Sequence, residues 1–405
     1  MKVKSNPIIC GLDVGTTKIC MMVARRDRDG GLELISSGYA ESAGLVKGAV
    51  VNLDEIAASI RKAASEAEMK CGMPVDCVKV GVGGDHFQSY NSRGAVTIAG
   101  ERQEVTDQAV DQVVLASRAS VALPPDREIV HVLPQEFFLD GRGDIQNPVG
   151  LFGSQLDVDV HIVTCQKALC LNLINAVNRA EIRVRKVVFK ALASAEAVLT
   201  KDEKELGVVL VEIGGGGTDI VVVRQNAVRF TKVLPVGGVS FTRDLAFGLQ
   251  TPVEEAERIK KESGTVLTER LSDGDEPVQV LGTGAREPRE VSRRVVCEIL
   301  RARAMETLEI VADEIRKAED AGPLVAGAVV SGGGSMLDGM VELAADVLDM
   351  PARQGLPRKV KGMKDDLIHP GYATAVGLTM FTMGAAPRAP SPPGFLARVL
   401  AWVGA

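Results

Sequence analysis

"GLDVGTTK", residues 11–18, and "VEIGGGGTDI", residues 211–220, are the two stretches on which the fold turns. Each closes an apolar run on an acid, Asp13 or Glu212, then passes a tight glycine turn and enters a second apolar run. Outward from the first, Ile19 to Ala24 reads as a returning strand, "DRDGG" as a turn, and Leu32 to Gly38 as a third strand. Outward from the second, Ile220 to Val223, the turn "RQNA" and Val228 to Leu234 repeat the pattern. Valine-rich runs punctuated by Gly, Asn and Asp are strand and hairpin signals. Helical patterns follow both copies, at Leu53 to Cys71 and Val253 to Glu262. The repetition predicts an internal duplication: an α/β protein of two pseudo-symmetric lobes with a cleft between them.

Between the copies, residues 85–159 are less regular. They hold a helical stretch, "TDQAVDQVVLASRASVAL", with Thr106 as its expected N-cap, and loops rich in Pro and Gly. This predicts a small inserted α/β subdomain. "HIVTC" and "QKALCLNLINAVNRAEI" then read as a strand and a helix that return the chain to the first lobe. A long helix, Arg293 to Ala318, and "AGAVVSGGGSMLDGMVELAADVL" rebuild the second lobe, with a helix expected from near Leu337. "HPGYATAVGLTMF" is expected to be a helix of the first lobe, and "AAPRAPSPP" an extended linker.

Composition bounds the function. The 405 residues are 46% hydrophobic and 25% charged, ordinary for a folded chain with a substantial core, and the 3% aromatic content leaves that core to aliphatic side chains. A net charge of -6 argues against nucleic acid as a partner, because phosphate backbones need a cationic surface. The seven cysteines contain no Cys-x-x-Cys pair and the four histidines do not cluster with them, so reduced thiols and no zinc site are expected. No run of about 20 apolar residues is present, and with no long apolar run near Met1 no signal peptide is expected.

The two glycine turns carry the chemistry. Gly15, Thr16, Thr17 and Lys18 in one, and Gly214, Gly215, Gly216, Gly217 and Thr218 in the other, suit a phosphate. Glycine lets backbone N–H groups converge on an anion, and hydroxyls and an ammonium add donors. Asp13 and Glu212 end the strands beside the turns, where a carboxylate can hold Mg2+ through water. The pattern is not a P-loop, since Gly-x-x-x-x-Gly-Lys-Ser/Thr is absent. Nor is it a dinucleotide fingerprint, since a strand and not a helix follows the glycines. A third glycine turn occurs at Gly332, Gly333 and Gly334, and "EEAERIKKE" sets Glu257, Lys260 and Lys261 on one side of a helix.

These motifs resemble a known superfamily. "GLDVGTTK", "VEIGGGGTDI" and "VVSGGGSM" are similar to the phosphate-1, phosphate-2 and adenosine motifs of the actin, Hsp70 and sugar-kinase ATPases, whose two lobes are duplicated ribonuclease-H-like units. Within that superfamily the chain resembles the bacterial cell-division FtsA family. The discriminating stretches are "NSRGAVTIAG", "LPPDREIVHVLPQEFFLDGRGDIQNPVGLFG" and "VHIVTC" of the insert, the closing "YATAVGL", and an amphipathic C-terminal segment after the linker. The resemblance implies lobe 1 from residues 1–84, 163–198 and 366–384, an FtsA-type insert at 85–162, and lobe 2 from 199–239 and 306–365. It also implies a small subdomain over the nucleotide at 240–305, a linker at 385–393 and a membrane-binding helix at 394–405.

It further implies ATP with Mg2+, phosphates on the first two turns, and adenosine against Glu257, Lys260, Lys261 and Gly332 to Met336, including Ser335. Implied partners are the C-terminal tail of FtsZ, with Arg301 and Arg303 as candidate contacts, further copies of the chain in actin-like filaments, anionic lipids of the inner membrane's cytoplasmic face, and later division proteins. Two departures, Glu212 for the usual aspartate and Gly217 for threonine, leave ATP binding expected but hydrolysis slow at most. The alternatives are a sugar or acetate kinase of the same fold, for which no carboxylate base can be assigned, and a type IV pilus actin-like protein, which lacks such a C-terminal helix. At 100° per residue, Phe395, Leu396, Val399, Leu400, Trp402 and Val403 share one helical face with Arg398 at its edge, and no Asp or Glu follows Asp366.

Overall fold

The computed structural model describes residues 7–27, 31–100, 103–272, 277–282, 287–318 and 322–382. The linker at 385–393 and the apolar segment at 394–405, Phe395 to Val403 included, lie outside them.

The duplication is explicit in the sheets. In the first lobe the strand order is Arg183–Phe189, Cys77–Val82, Ile8–Val14, Lys18–Arg26, Leu32–Glu41. In the second it is Ala352–Gln354, Ala328–Ser331, Val208–Ile213, Thr218–Arg224, Ala227–Leu234. Each sheet is thus a three-stranded antiparallel meander with two further strands added parallel to its first strand. Parallel strands need long crossovers, and helices supply them on the sheet faces. Leu53–Cys71 is one such crossover. Asn52 caps it by accepting the N–H groups of Asp54 and Glu55, and Gly72 ends it at φ 69. Its buried side is largely alanine, and Gly38 on the third strand lets the helix backbone come so close that a Cβ there would overlap the Ala63 carbonyl.

The insert has its own sheet, ordered Phe87–Thr97, Gln155–Gln166, Arg127–Leu139, Arg142–Ile145, with the helix Asp107–Ala119 on one face. Thr106 caps that helix through the Ala109 N–H. Lobe 2 and the insert each bury an aliphatic cluster of their own, and the first-lobe cluster continues into both, including Val208, Leu210, Val221, Val223, Val228, Val233 and Val329 of lobe 2 and Phe87 and Leu133 of the insert. The insert also docks on the edge strand of lobe 2: Ser89 Oγ donates to the Thr231 carbonyl (2.8 Å), Gln135 Nε2 to the Val228 carbonyl (2.8 Å), and His161 Nε2 lies 2.9 Å from Thr231 Oγ1.

Two expectations change. After the third glycine turn the chain makes a short 3-10 turn, Gly333–Met336, and the helix starts only at Met340, because Gly339 at φ 79 breaks the path from Leu337. Cys165 and Cys170, expected to be reduced, are joined as a disulfide: a strand end and the first turn of the next helix bring their Cα atoms to 6.8 Å.

Candidate functional site

The two central strands end at the cleft, and their turns close identically. Gly15 N–H donates to the Lys18 carbonyl (2.9 Å), and Gly214 N–H to the Gly217 carbonyl (2.8 Å). The turns meet tip to tip across the lobes: a Cβ on Gly216 would lie 2.5 Å from Thr16 Oγ1, and one on Gly215 2.8 Å from Thr17 Cγ2. The second turn is backed by the start of the helix Gly238–Gly248, whose Gly238 and Val239 N–H groups donate to the Gly214 and Gly215 carbonyls, both at 2.8 Å. Thr16, Lys47, Gly84, Lys190, Gly216 and Asp219 are among the residues around a cavity of 90 Å3 beside the meeting point.

Acidic groups lie beneath the turns. Asp13 Oδ1 is 2.7 Å from Lys190 Nζ, which also donates to the Val14 carbonyl at 2.6 Å. Glu212 Oε1 accepts the Thr374 hydroxyl (2.7 Å), which is itself 2.9 Å from Ser194 Oγ. Hairpin register sets Asp219 opposite Glu212. Burial, relieved in part by those hydroxyls, raises the Glu212 pKa, and burial followed by the Glu212 charge pushes Asp219 up to about 8. Glu212 Oε2 is buried with no hydrogen-bond partner among the described residues. A buried carboxylate oxygen left unpaired beside two further carboxylates fits a cation. Among the described residues no three acids, histidines or cysteines converge to ligate a metal directly, so the donor set suits a hydrated ion held through water.

The side chains named from sequence divide. Thr16, Thr17 and the glycines of both turns come together at the cleft. Lys18 turns away, with its ammonium 3.7 Å from the centroid of the Tyr372 ring, and burial lowers its pKa. Thr218 is buried and spends its hydroxyl on the Val236 carbonyl (2.8 Å), fastening the turn. The third turn packs on the second: a Cβ on Gly334 would overlap the Ile213 side chain, and Gly332 needs φ 79, whereas Gly333 faces open space. Ser335 caps this turn by donating to the Gly332 carbonyl (2.8 Å), and Met336 is exposed. Glu257 accepts from Lys260 (2.6 Å), from Lys261 (3.1 Å) and from the Thr242 hydroxyl. Lys260 also donates to the Gly238 carbonyl at 3.1 Å, which brings it to the back of the second turn. Val266 N–H donates to the Asp338 carbonyl (2.9 Å), stitching the segment after this helix to the residues after the third turn.

Arg301 and Arg303, read from sequence as open to an acidic peptide, are both engaged. Arg301 donates to the Val266 carbonyl (2.9 Å) and pairs with Glu269 (3.2 Å); Arg303 pairs with Asp244 and Glu306, each at 2.5 Å. Three cleft residues escaped sequence reading. Asp219 was legible in principle, since hairpin register places it across from Glu212. Lys190 and Thr374 carry no local signal, because only tertiary packing delivers them to the carboxylates.

Comparison with known proteins decides the family. The family model for the cell division protein FtsA matches residues 209–377, and that for the SHS2 domain inserted in FtsA matches residues 84–164. The curated cell division protein FtsA of Pseudomonas aeruginosa is 39% identical over 379 residues, covering 94% of this chain and 90% of that protein. The chain belongs to the FtsA family of cell-division proteins. Its counterparts in Borreliella burgdorferi and Escherichia coli are 36% and 35% identical, each over 93% of this chain and 91% of theirs. Among solved structures, the PilM–PilN type IV pilus biogenesis complex aligns with TM-score 0.65 at 15% identity over 92% of this chain and 97% of that one. MreB5 of Spiroplasma citri bound to ADP aligns with TM-score 0.54 at 13% identity over 92% and 95%. The architecture is therefore the two-lobed actin-like fold with the insert of this family, as the motifs predicted.

Proposed function

We propose that this actin-like cell-division protein binds ATP with Mg2+ in the inter-lobe cleft and uses the nucleotide to set its shape more than to turn it over. The meeting of two glycine turns above Asp13, Glu212 and Asp219 carries this reading. Backbone N–H groups and Thr16 and Thr17 would hold the phosphates, with Glu257, Lys260, Lys261 and Gly332 to Met336 toward the adenosine. When bound, Mg2+ supplies positive charge to the phosphates, and this chain's carboxylates would orient its water shell. Calorimetry tests the site: Gly216→Val, whose side chain would be driven into Thr16, is expected to lower ATP affinity at least tenfold, and an unchanged affinity overturns the assignment. Rapid phosphoryl transfer to a sugar would reassign the protein as a kinase.

The boundaries at 84/85, 162/163, 198/199, 239/240, 305/306 and 365/366 are proposed as the borders of the lobes, insert and small subdomain. In the same reading the protein forms actin-like filaments, recruits later division proteins, and anchors FtsZ to the cytoplasmic face of the inner membrane through residues 394–405. FtsZ's C-terminal tail would dock on the small subdomain, with Phe247, 89% exposed on the helix Gly238–Gly248, as its apolar anchor. Arg301 and Arg303 would then exchange internal carboxylates for those of the peptide.

A further inference from the structure

The edge of the first-lobe sheet opposite the cleft has an unusual charge. The strands Ile8–Val14, Cys77–Val82 and Arg183–Phe189 are mutually parallel and start there, and the antiparallel Lys18–Arg26 ends there. The last described helix, Ala373–Met380, starts at the cleft, where Thr374 meets Glu212, and runs back to this same edge. At its end Lys79 Nζ donates to the Phe381 carbonyl (2.8 Å), and Lys186 Nζ lies 5.3 Å from the centroid of the Phe381 ring. Phe381, which precedes the segment carrying the apolar tail, is therefore flanked by two lysines.

The surroundings are cationic. Burial, and then the positive charges of Lys186, Arg26 and Arg185, bring Lys79 down to about 8; every charge acting on it is of its own sign. Arg183 and Arg185 are exposed on the outermost strand. Arg25 is exposed as well, paired with Glu33 at 2.7 Å. Among the acids at this edge, Asp76 and Glu181 flank the starts of two strands, and Asp27 and Glu33 lie at the turn between the second and third strands, Glu33 paired with Arg25. In sequence, Lys2 and Lys4 precede Pro7 at this edge, Arg388 and Arg398 follow it, and no acid occurs after Asp366. A protein of net charge -6 thus sets Lys79 and Lys186 around Phe381 and carries Arg183 and Arg185 on the adjoining edge strand.

We propose that this basic edge of the first lobe is a second membrane contact, which seats the folded body on an anionic lipid surface with its nucleotide cleft facing away. The inference rests on the proposal that residues 394–405 insert into lipid, and it adds an electrostatic contact to that apolar one. The tail alone has too few charges for much salt dependence, whereas the whole chain should show a clear one. The geometry is consistent, since cations spaced along one sheet edge can meet a plane together.

The test uses the full chain with vesicles of mixed phosphatidylglycerol and phosphatidylcholine, and with vesicles of phosphatidylcholine alone. Reversing Arg183 and Arg185 to Glu should weaken binding to the anionic vesicles by about tenfold or more in about 0.1 M salt, and should flatten the salt dependence. Binding to the neutral vesicles should be unchanged. Arg142→Glu with Arg270→Glu, an equal change of net charge placed away from this edge, should alter binding less than threefold on the order of experimental scatter. Wild-type affinity and salt dependence in the Arg183/Arg185 variant, or an equal loss in the Arg142/Arg270 variant, overturns the proposal even if the tail is the anchor. Full vesicle binding after truncation at Pro393 would instead refute the tail reading, leaving the arginine comparison to judge the edge.

Discussion

Lys190 is the residue that most changes the picture of the cleft. Its ammonium sits on Asp13 and on the carbonyl of Val14, beside Glu212 and Asp219, so part of the positive charge the carboxylates need is built into the chain. Removing one partner of a buried pair leaves an uncompensated charge and typically costs about 3–5 kcal/mol. Lys190→Met keeps an unbranched apolar stem and removes the ammonium, with its charge and its hydrogen bond to the Val14 carbonyl. The variant should melt at lower temperature than wild type, and Mg2+ should recover part of the loss while barely moving the wild type. Thermal melts with and without Mg2+ in the absence of nucleotide read this directly. If Mg2+ stabilises the variant no more than the wild type, the carboxylates do not form a cation site.

At the scale of elements, the small subdomain is where a peptide partner would act. The helix Arg293–Lys317 is held by Arg301 on the Val266 carbonyl and by Arg303 on Asp244, while Phe247 stands exposed on the neighbouring helix. An exposed aromatic on the helix whose Asp244 holds Arg303 in an exchangeable ion pair is a suitable anchor for an acidic peptide with apolar residues. Phe247→Ala should weaken binding of the FtsZ C-terminal peptide by about tenfold, a typical loss for an interface aromatic, and leave ATP affinity unchanged. Fluorescence anisotropy with the labelled peptide measures it, and wild-type peptide affinity in the variant would exclude this face. Much of the element level was legible in the sequence. Leu53–Cys71 was bounded correctly because Asn52 and Gly72 are strong local caps, and both meanders were visible because Gly, Asn and Asp punctuate valine-rich runs. What could not be read depends on tertiary packing: the turn of Lys18 toward Tyr372, the delivery of Lys190 and Thr374 to the acids, and the ion pairs that engage Arg301 and Arg303.

For the molecule as a whole, the two lobes and the insert follow from the motifs, but the proposed attachment to a membrane rests on a segment outside the described residues. Its sequence still supports a quantitative argument. Burying each large apolar side chain of Phe395, Leu396, Val399, Leu400, Trp402 and Val403 would contribute roughly 1.5–3 kcal/mol if complete, and less at an interface. Ordering the backbone opposes this by roughly 1 kcal/mol or more per residue. The two effects are of similar size, so a single tail should bind weakly. A filament presenting many tails would bind through their effective concentration, and its attachment would then be conditional on assembly. Among the described residues no helix is long and apolar enough to cross a membrane. Trp402→Glu replaces the largest apolar side chain of that face with a charge. It should therefore release the protein from vesicles of mixed phosphatidylglycerol and phosphatidylcholine while ATP affinity stays at the wild-type value. Full sedimentation of that variant with the vesicles would show that residues 394–405 are not the anchor.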